Sequence, residues 1–220
     1  MGFASCFAYL PDGSGSVCEQ GRLLCAHLKA ANPAWLPRLV AQVWVETVGH
    51  GRFAATLDGR AVLIPVPGSA PTHGTVWVGE RLAWCLKELG LAAEVWPVLR
   101  RRHAVRKSAF AAAGSRPTVL EHYASLAVEP AWGDGAISGR CRFVAGSGGT
   151  GLRLILVDDV VTRGRTLLAA AGRLREVFPG AQIRAFALVR TLGRHEMLCR
   201  VLDPCEGEVR WMSGDARRSP

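Results

Sequence analysis

Residues 152–168 read LRLILVDDVVTRGRTLL. Four apolar residues, Leu154, Ile155, Leu156 and Val157, run into two adjacent carboxylates, Asp158 and Asp159. Val160 and Val161 follow, and then a small polar loop, Thr162-Arg163-Gly164-Arg165-Thr166. The loop passes straight into an amphipathic segment in which Leu167, Ala171, Leu174 and Phe178 recur at helical spacing, stopped by Pro179-Gly180. The stretch therefore predicts a buried strand, a turn and a helix start, with the polar chemistry gathered in the turn.

That turn is suited to an anion. The first N–H groups of a helix have no intrahelical partner and carry partial positive charge. Gly164 has no Cβ and lets a ligand approach the backbone. Thr162 and Thr166 offer hydroxyls, and Arg163 and Arg165 offer cationic forks, so a phosphate fits at the helix start. Asp158 and Asp159 stand one step back, at the carboxyl end of the strand, where open α/β sheets bind ligands. Carboxylates repel phosphate but suit sugar hydroxyls or Mg²⁺. A phosphate and a polyol side by side describe a phosphorylated sugar. The alternative is a plain βα turn with an acidic strand end and a Thr cap.

The same residues, VDDVVTRGRTL, resemble the phosphoribosyl pyrophosphate (PRPP) motif of type I phosphoribosyltransferases: apolar residues, two acids, two apolar residues, then a Gly-containing loop closing on Thr. The resemblance implies an α/β fold with a mostly parallel, doubly wound sheet, and an enzyme that moves a phosphoribosyl group from PRPP to a nitrogenous base. It implies that Asp158 and Asp159 face the ribose hydroxyls, directly or through Mg²⁺, and that Thr162, Arg163, Gly164, Arg165 and Thr166 wrap the 5′-phosphate. A homo-oligomer, in the simplest case a dimer, is expected. In hypoxanthine-type members an Asp stands at the position of Thr162, so the Thr here argues against an oxopurine acceptor of that type.

Strand and helix signals alternate along the rest of the chain, which supports the same fold class with four or five strands. Residues 61–66, AVLIPV, predict the first convincing strand. The Gly/Pro/Ser loop after it, residues 67–74, precedes a helix marked by Leu82, Leu86 and Leu89 and ended by Gly90. By the resemblance, Gly68, Ser69 and Ala70 supply backbone N–H groups to pyrophosphate; a plain turn explains the composition equally well. Residues 94–99 predict a second strand, with Pro97 arguing for a sheet edge. Residues 183–189 predict another, residues 209–212 a last short one, and residues 215–220 a loose tail.

Residues 1–16 read as a turn or loose arm, followed by two helices, one capped by Ser16 and one started by Asn32-Pro33. The first 58 residues are thus expected to form an N-terminal helical addition or hood, and residues 59–220 the phosphoribosyltransferase-like domain. Cys6, Cys18, Cys25 and His27 suggest zinc, but there is no C-x-x-C pair, and thiols suit the spacing better.

Residues 100–107, RRRHAVRK, are densely basic, and residues 100–150 are weakly periodic. Three readings stay open: a mobile lid carrying Arg101 and Arg102 onto pyrophosphate, a nucleic-acid patch, or a solvated basic face. This region, with Ile64-Pro65-Val66-Pro67, Arg116 and His122, also has the layout of the competence-associated ComF family, although the zinc ribbon of that family is missing. That likeness implies an alternative role as a PRPP- or nucleotide-sensing module touching nucleic acid.

The 220 residues carry a net charge of +9, almost all of it arginine, which suits a phosphorylated substrate as well as nucleic acid. No apolar run approaches the ~18 residues of a membrane span, and no signal-peptide pattern is visible. Seven scattered cysteines, an odd number, fit a reduced, cytoplasmic protein.

Overall fold

The run Leu154–Val157 becomes the middle of a sheet covered on both faces, which is why its sequence is apolar without alternation. The computed structural model describes residues 1–30, 34–71, 76–106, 116–129, 146, 148–193 and 196–220. From the N-terminus its elements are strand β1 (Gly2–Tyr9), helix α1 (Ser16–Lys29) and helix α2 (Leu36–Trp44), which runs into a π-helical turn (Val45–Gly49). Strand β2 (Val62–Pro65), helix α3 (Val78–Glu88), strands β3 (Glu94–Val95) and β4 (Leu99–Arg101), helix α4 (Val119–Ser125) and strand β5 (Leu126–Val128) follow. Strand β6 (Arg153–Val161), helix α5 (Arg165–Val177) and strands β7 (Gln182–Thr191), β8 (Leu202–Met212) and β9 (Asp215–Ser219) complete the order.

The result is an α/β protein with a mostly parallel sheet of seven strands in the order β3-β2-β6-β7-β1-β8-β9. The first five run parallel, and β8 and β9 add antiparallel at one edge. Successive strand residues point to opposite faces. Leu154 and Leu156 of β6, with Ala185 and Ala187 of β7, pack toward Leu167, Ala171 and Leu174 of α5. Ile155, Val157, Phe186 and Leu188 pack toward Leu24 of α1, Val40 of α2 and Leu82 and Leu86 of α3. Helices thus cover both faces, as in a doubly wound sheet. Among the described residues no helix is long and apolar enough to cross a membrane.

Several expectations change. Residues 1–16 are not a loose arm, because Gly2–Tyr9 forms β1, paired with β7 on one side and β8 on the other, with its interior buried. Both faces of β1 are covered, so FASCFAY shows no period of two. The N-terminal segment therefore contributes a strand to the common sheet, and its helical part begins at Ser16. Gly15 stands at the cap of α1, and Ser16 is the first helical residue. Asn32-Pro33 lies outside the described residues. Residues 94–99 divide: β3 is the sheet edge that Pro97 implied, and β4 leaves the sheet to pair with β5. The expected loose tail is β9, held by five residue pairs to β8. Its sequence, DARRS, has no apolar face, so only pairing with a distant strand orders it. The open stretch 100–150 holds α4 and β5, which pack against α5; residues 107–115, 130–145 and 147 lie outside the described residues.

Candidate functional site

Strand β6 continues through the two acids to Val161, so Asp158 and Asp159 sit inside the last half of the strand rather than at its end. Both are half-buried. The N–H of Asp159 donates to Asp158 Oδ1 at 2.9 Å, and that of Val160 donates to Asp159 Oδ1 at 2.8 Å. Burial, and then the neighbouring Asp159 carboxylate, push the Asp158 carboxyl well above the usual range. Two acids crowded in this way are relieved by a cation or by hydroxyl donors.

After Val161 the chain turns through Thr162 and Arg163 to Gly164, which caps α5 with φ +81° and ψ 16°. The first bond of the helix runs from the Leu168 N–H to the Gly164 carbonyl at 2.9 Å. The N–H groups of Arg165, Thr166 and Leu167 precede that bond and form the donor end of the helix. A cleft of about 40 Å³ opens there, lined by residues 160–167 with Asp158, Arg116 and His122. Asp158 and the whole of the loop are therefore brought together, and Asp159 is not among the residues that line the cleft.

Gly164 has the left-handed backbone that glycine favours, but its missing side chain serves another purpose than expected. A Cβ there would stand 2.5 Å from Cγ1 of Val209, a fully buried residue of β8. The space is needed by the sheet, not by a ligand. A bulky residue at this position would damage the fold as well as the cleft.

The two loop arginines are also engaged otherwise than expected. Arg165 grips Asp215 with two hydrogen bonds of 2.6 Å each, and donates through Nη1 to the carbonyls of Arg116 and Pro117. Arg163 Nη1 donates to the same Asp215 carboxylate at 3.0 Å. The Arg165 guanidinium holds the Asp215 carboxyl down at about 2. Both cations are thus paired within the protein, and they tie the start of α5 to β9 and to the approach to α4. Arg163 bonds Asp215 through one nitrogen only and lines the cleft, so the donors there are the helix N–H groups, the Thr162 and Thr166 hydroxyls and the remaining N–H groups of Arg163.

The loop after β2 leaves the sheet beside Asp158, since β2 and β6 are neighbours with Pro65 opposite Val157. Gly68 and Ser69 are fixed through their carbonyls: Gly68 accepts from Arg101 Nε at 2.9 Å, and Ser69 accepts from the Val105 N–H at 2.8 Å. Thr72, His73 and Gly74 lie outside the described residues.

Arg101 and Arg102, adjacent in sequence, part company. Arg101 is 5% exposed and points inward, donating to Gly68, to Ser125 Oγ and toward His122 Nδ1. Burial lowers its pKa to about 10, with Asp158 opposing the shift. Arg102 is exposed and meets the protein through its backbone N–H, which donates to the Ser125 carbonyl. His103 and Arg106 are exposed as well. The described part of the basic stretch therefore divides into buried Arg101, a half-buried Arg100 over the Trp77 ring, and solvent-facing Arg102, His103 and Arg106.

Sequence reasoning did not assign Asp215, Arg116 or His122 to the site. Thr118 and Glu121 form a capping box at the start of α4, a pattern readable in the sequence, and it places His122 on the following helical position. Asp215 had no local signal, because its role depends on β9 folding back beside α5. Among the described residues no group of three His, Cys, Asp or Glu side chains is gathered, so a cation at Asp158 and Asp159 would complete its shell with ligand and water oxygens, as Mg²⁺ commonly does. No protein-family model matches the chain, and no curated protein matches it in sequence.

Proposed function

We propose that the protein binds PRPP with Mg²⁺ and transfers its phosphoribosyl group to a nitrogenous base, releasing pyrophosphate. One observation carries the proposal: a cleft at a helix start, rich in donors, has the half-buried Asp158 carboxyl on its strand wall, with Asp159 next to it in β6. A phosphate at the donors would bring the attached sugar toward Asp158. In this reading the α5 N–H groups, Thr162 and Thr166 hold the 5′-phosphate, and Asp158 and Asp159 accept from the 2′- and 3′-hydroxyls. Mg²⁺, when bound, would be held by Asp158 and Asp159 and would neutralise charge on the departing pyrophosphate.

In the reaction the bond from C1 to pyrophosphate breaks, its electron pair leaves with pyrophosphate, and a nitrogen of the base forms the new bond to C1. Positive charge develops on the ribose, and Asp158 and Asp159, once a cation or hydroxyl donors relieve their crowding, would stabilise it. In this reading the N–H groups of Gly68, Ser69 and Ala70 would meet the leaving group, and Arg101, bonded to the Gly68 carbonyl, would shape that loop. The exposed Arg102, His103 and Arg106 favour a second reading, in which the same site senses PRPP or a nucleotide and the cations meet nucleic acid.

Calorimetry with PRPP–Mg²⁺ and with ribose 5-phosphate, beside an assay of pyrophosphate release, tests this. Binding with release that depends on an added base supports the transferase. Binding without such release, together with salt-sensitive oligonucleotide binding, selects the sensing module. A folded protein that binds neither PRPP nor ribose 5-phosphate would remove both.

A further inference from the structure

Three side chains stand in line between the loop after β2 and the start of α5. Arg101 Nε donates to the Gly68 carbonyl at 2.9 Å, and its Nη1 lies 3.3 Å from His122 Nδ1. On the far side of the ring, His122 Nε2 lies 3.5 Å from Thr166 Oγ1. His122 is 4% exposed, and its place is set by Ser125, whose Oγ donates to the His122 carbonyl at 2.7 Å while accepting from Arg101.

The chemistry of the line runs one way. A guanidinium has N–H groups and no acceptor, so His122 Nδ1 must accept. The ring is then neutral and carries its proton on Nε2. Burial first, and then the Arg101 and Arg165 charges, lower the His122 pKa to about 4, which agrees with a neutral ring. The Nε2–H faces Thr166 Oγ1, which accepts. A hydroxyl used as acceptor keeps its own proton free to donate, and Thr166 lines the cleft on the first turn of α5. The 3.5 Å separation is long for a hydrogen bond, as is usual for site contacts before a ligand draws them together.

We infer that His122 is a positioning residue: the donor chain Arg101 → His122 → Thr166 aims the Thr166 hydroxyl proton into the cleft and selects a ligand whose oxygens only accept, a fully deprotonated phosphate ester. The inference rests on the phosphate pocket of the proposed function and names the ionic form that the pocket takes. It also joins the two ends of the site, since the arginine that starts the chain is the one that fixes Gly68.

Nitrogen-resolved NMR of the full chain reads the tautomer in the unmodified protein. A proton on Nε2 is expected, and a neutral ring protonated on Nδ1 overturns the inference. Titrations with ribose 5-phosphate and with inorganic phosphate then compare His122→Phe, Thr166→Val, the double variant and His122→Gln. Loss of one hydrogen bond to a charged ligand should weaken binding about tenfold in each single variant. The double variant should be no weaker than the worse single one. His122→Gln, whose amide accepts and donates in the same order, should recover most of the affinity. Losses that multiply in the double variant, or a folded His122→Phe with unchanged affinity, would overturn the chain. Should His122→Phe not fold, the tautomer and His122→Gln decide. Wild-type protein that binds inorganic phosphate but not ribose 5-phosphate would end the phosphoribosyl reading, while the variants still test the chain on phosphate. Binding of neither ends both.

Discussion

Replacing Gly164 by alanine should destabilise the fold by about 1–5 kcal/mol, and the loss has two separable parts. The first is conformational. At φ +81° an L-residue is held in the left-handed region, which is unfavourable by about 1–2 kcal/mol. The second is steric. The new Cβ would lie 2.5 Å from Val209 Cγ1 and 2.9 Å from Cγ2, and Val209 is fully buried and has no room to swing aside. Overpacking of this kind typically adds about 1–3 kcal/mol. Against both stands the lower entropy of the unfolded alanine chain, which returns about 0.4–1 kcal/mol. Urea unfolding of Gly164→Ala, Val209→Ala and the double variant separates the parts. Trimming Val209 removes the steric part alone, so the two substitutions should couple favourably by about 1–3 kcal/mol, leaving the conformational part in the double variant. Strictly additive losses would refute the clash with Val209. An unchanged midpoint in Gly164→Ala would refute the left-handed cap itself.

Asp158→Asn with Asp159→Asn should weaken PRPP–Mg²⁺ binding at least ~10-fold, read by calorimetry; unchanged affinity removes the central element of the proposed site. Arg101→Gln should lower the melting temperature, because it strips partners from Gly68, His122 and Ser125, whereas Arg102→Gln with Arg106→Gln should leave melting unchanged and alter only anion or oligonucleotide binding. The His122 pKa of about 4 in the folded protein lies below the ordinary ~6.5, so the unfolded chain binds more protons between those values. Stability should therefore rise with pH from about 4 to about 6.5, and the rise should flatten in His122→Gln. Asp215 acts in the same direction at lower pH: its depressed pKa of about 2 contributes stability that is present above the ordinary carboxylate range and lost as pH falls through about 2, so Asp215→Asn should abolish that acid-side loss.

The strand–turn–helix at 153–177 was legible because every signal in it is local. Apolar residues at 154–157, a glycine where the backbone turns left-handed, and an apolar face at 167, 171, 174 and 178 each state their own conformation. The strand at 62–65, the helix at 78–88 and the strand at 182–191 were readable for the same reason. β1 and β9 were not. The first takes both its neighbouring strands, β7 and β8, from the far end of the chain, and the second is an arginine-rich edge that pairs only because β8 is beside it.

The site divides along the same line. Sequence alone determined which groups gather at the start of α5 and that an anion suits them, because a helix end and two adjacent acids are consecutive residues. Only the tertiary structure decided what each side chain faces. Asp215 arrives from β9 and takes both loop arginines; Val209 arrives from β8 and claims the space at Gly164; Arg101 turns inward to Gly68 and His122 while Arg102 stays in water. These partners are 40 to 60 residues distant in most cases, and a cation's nearest acid is a property of folded space, where Coulomb attraction falls with distance through the protein and not along the chain.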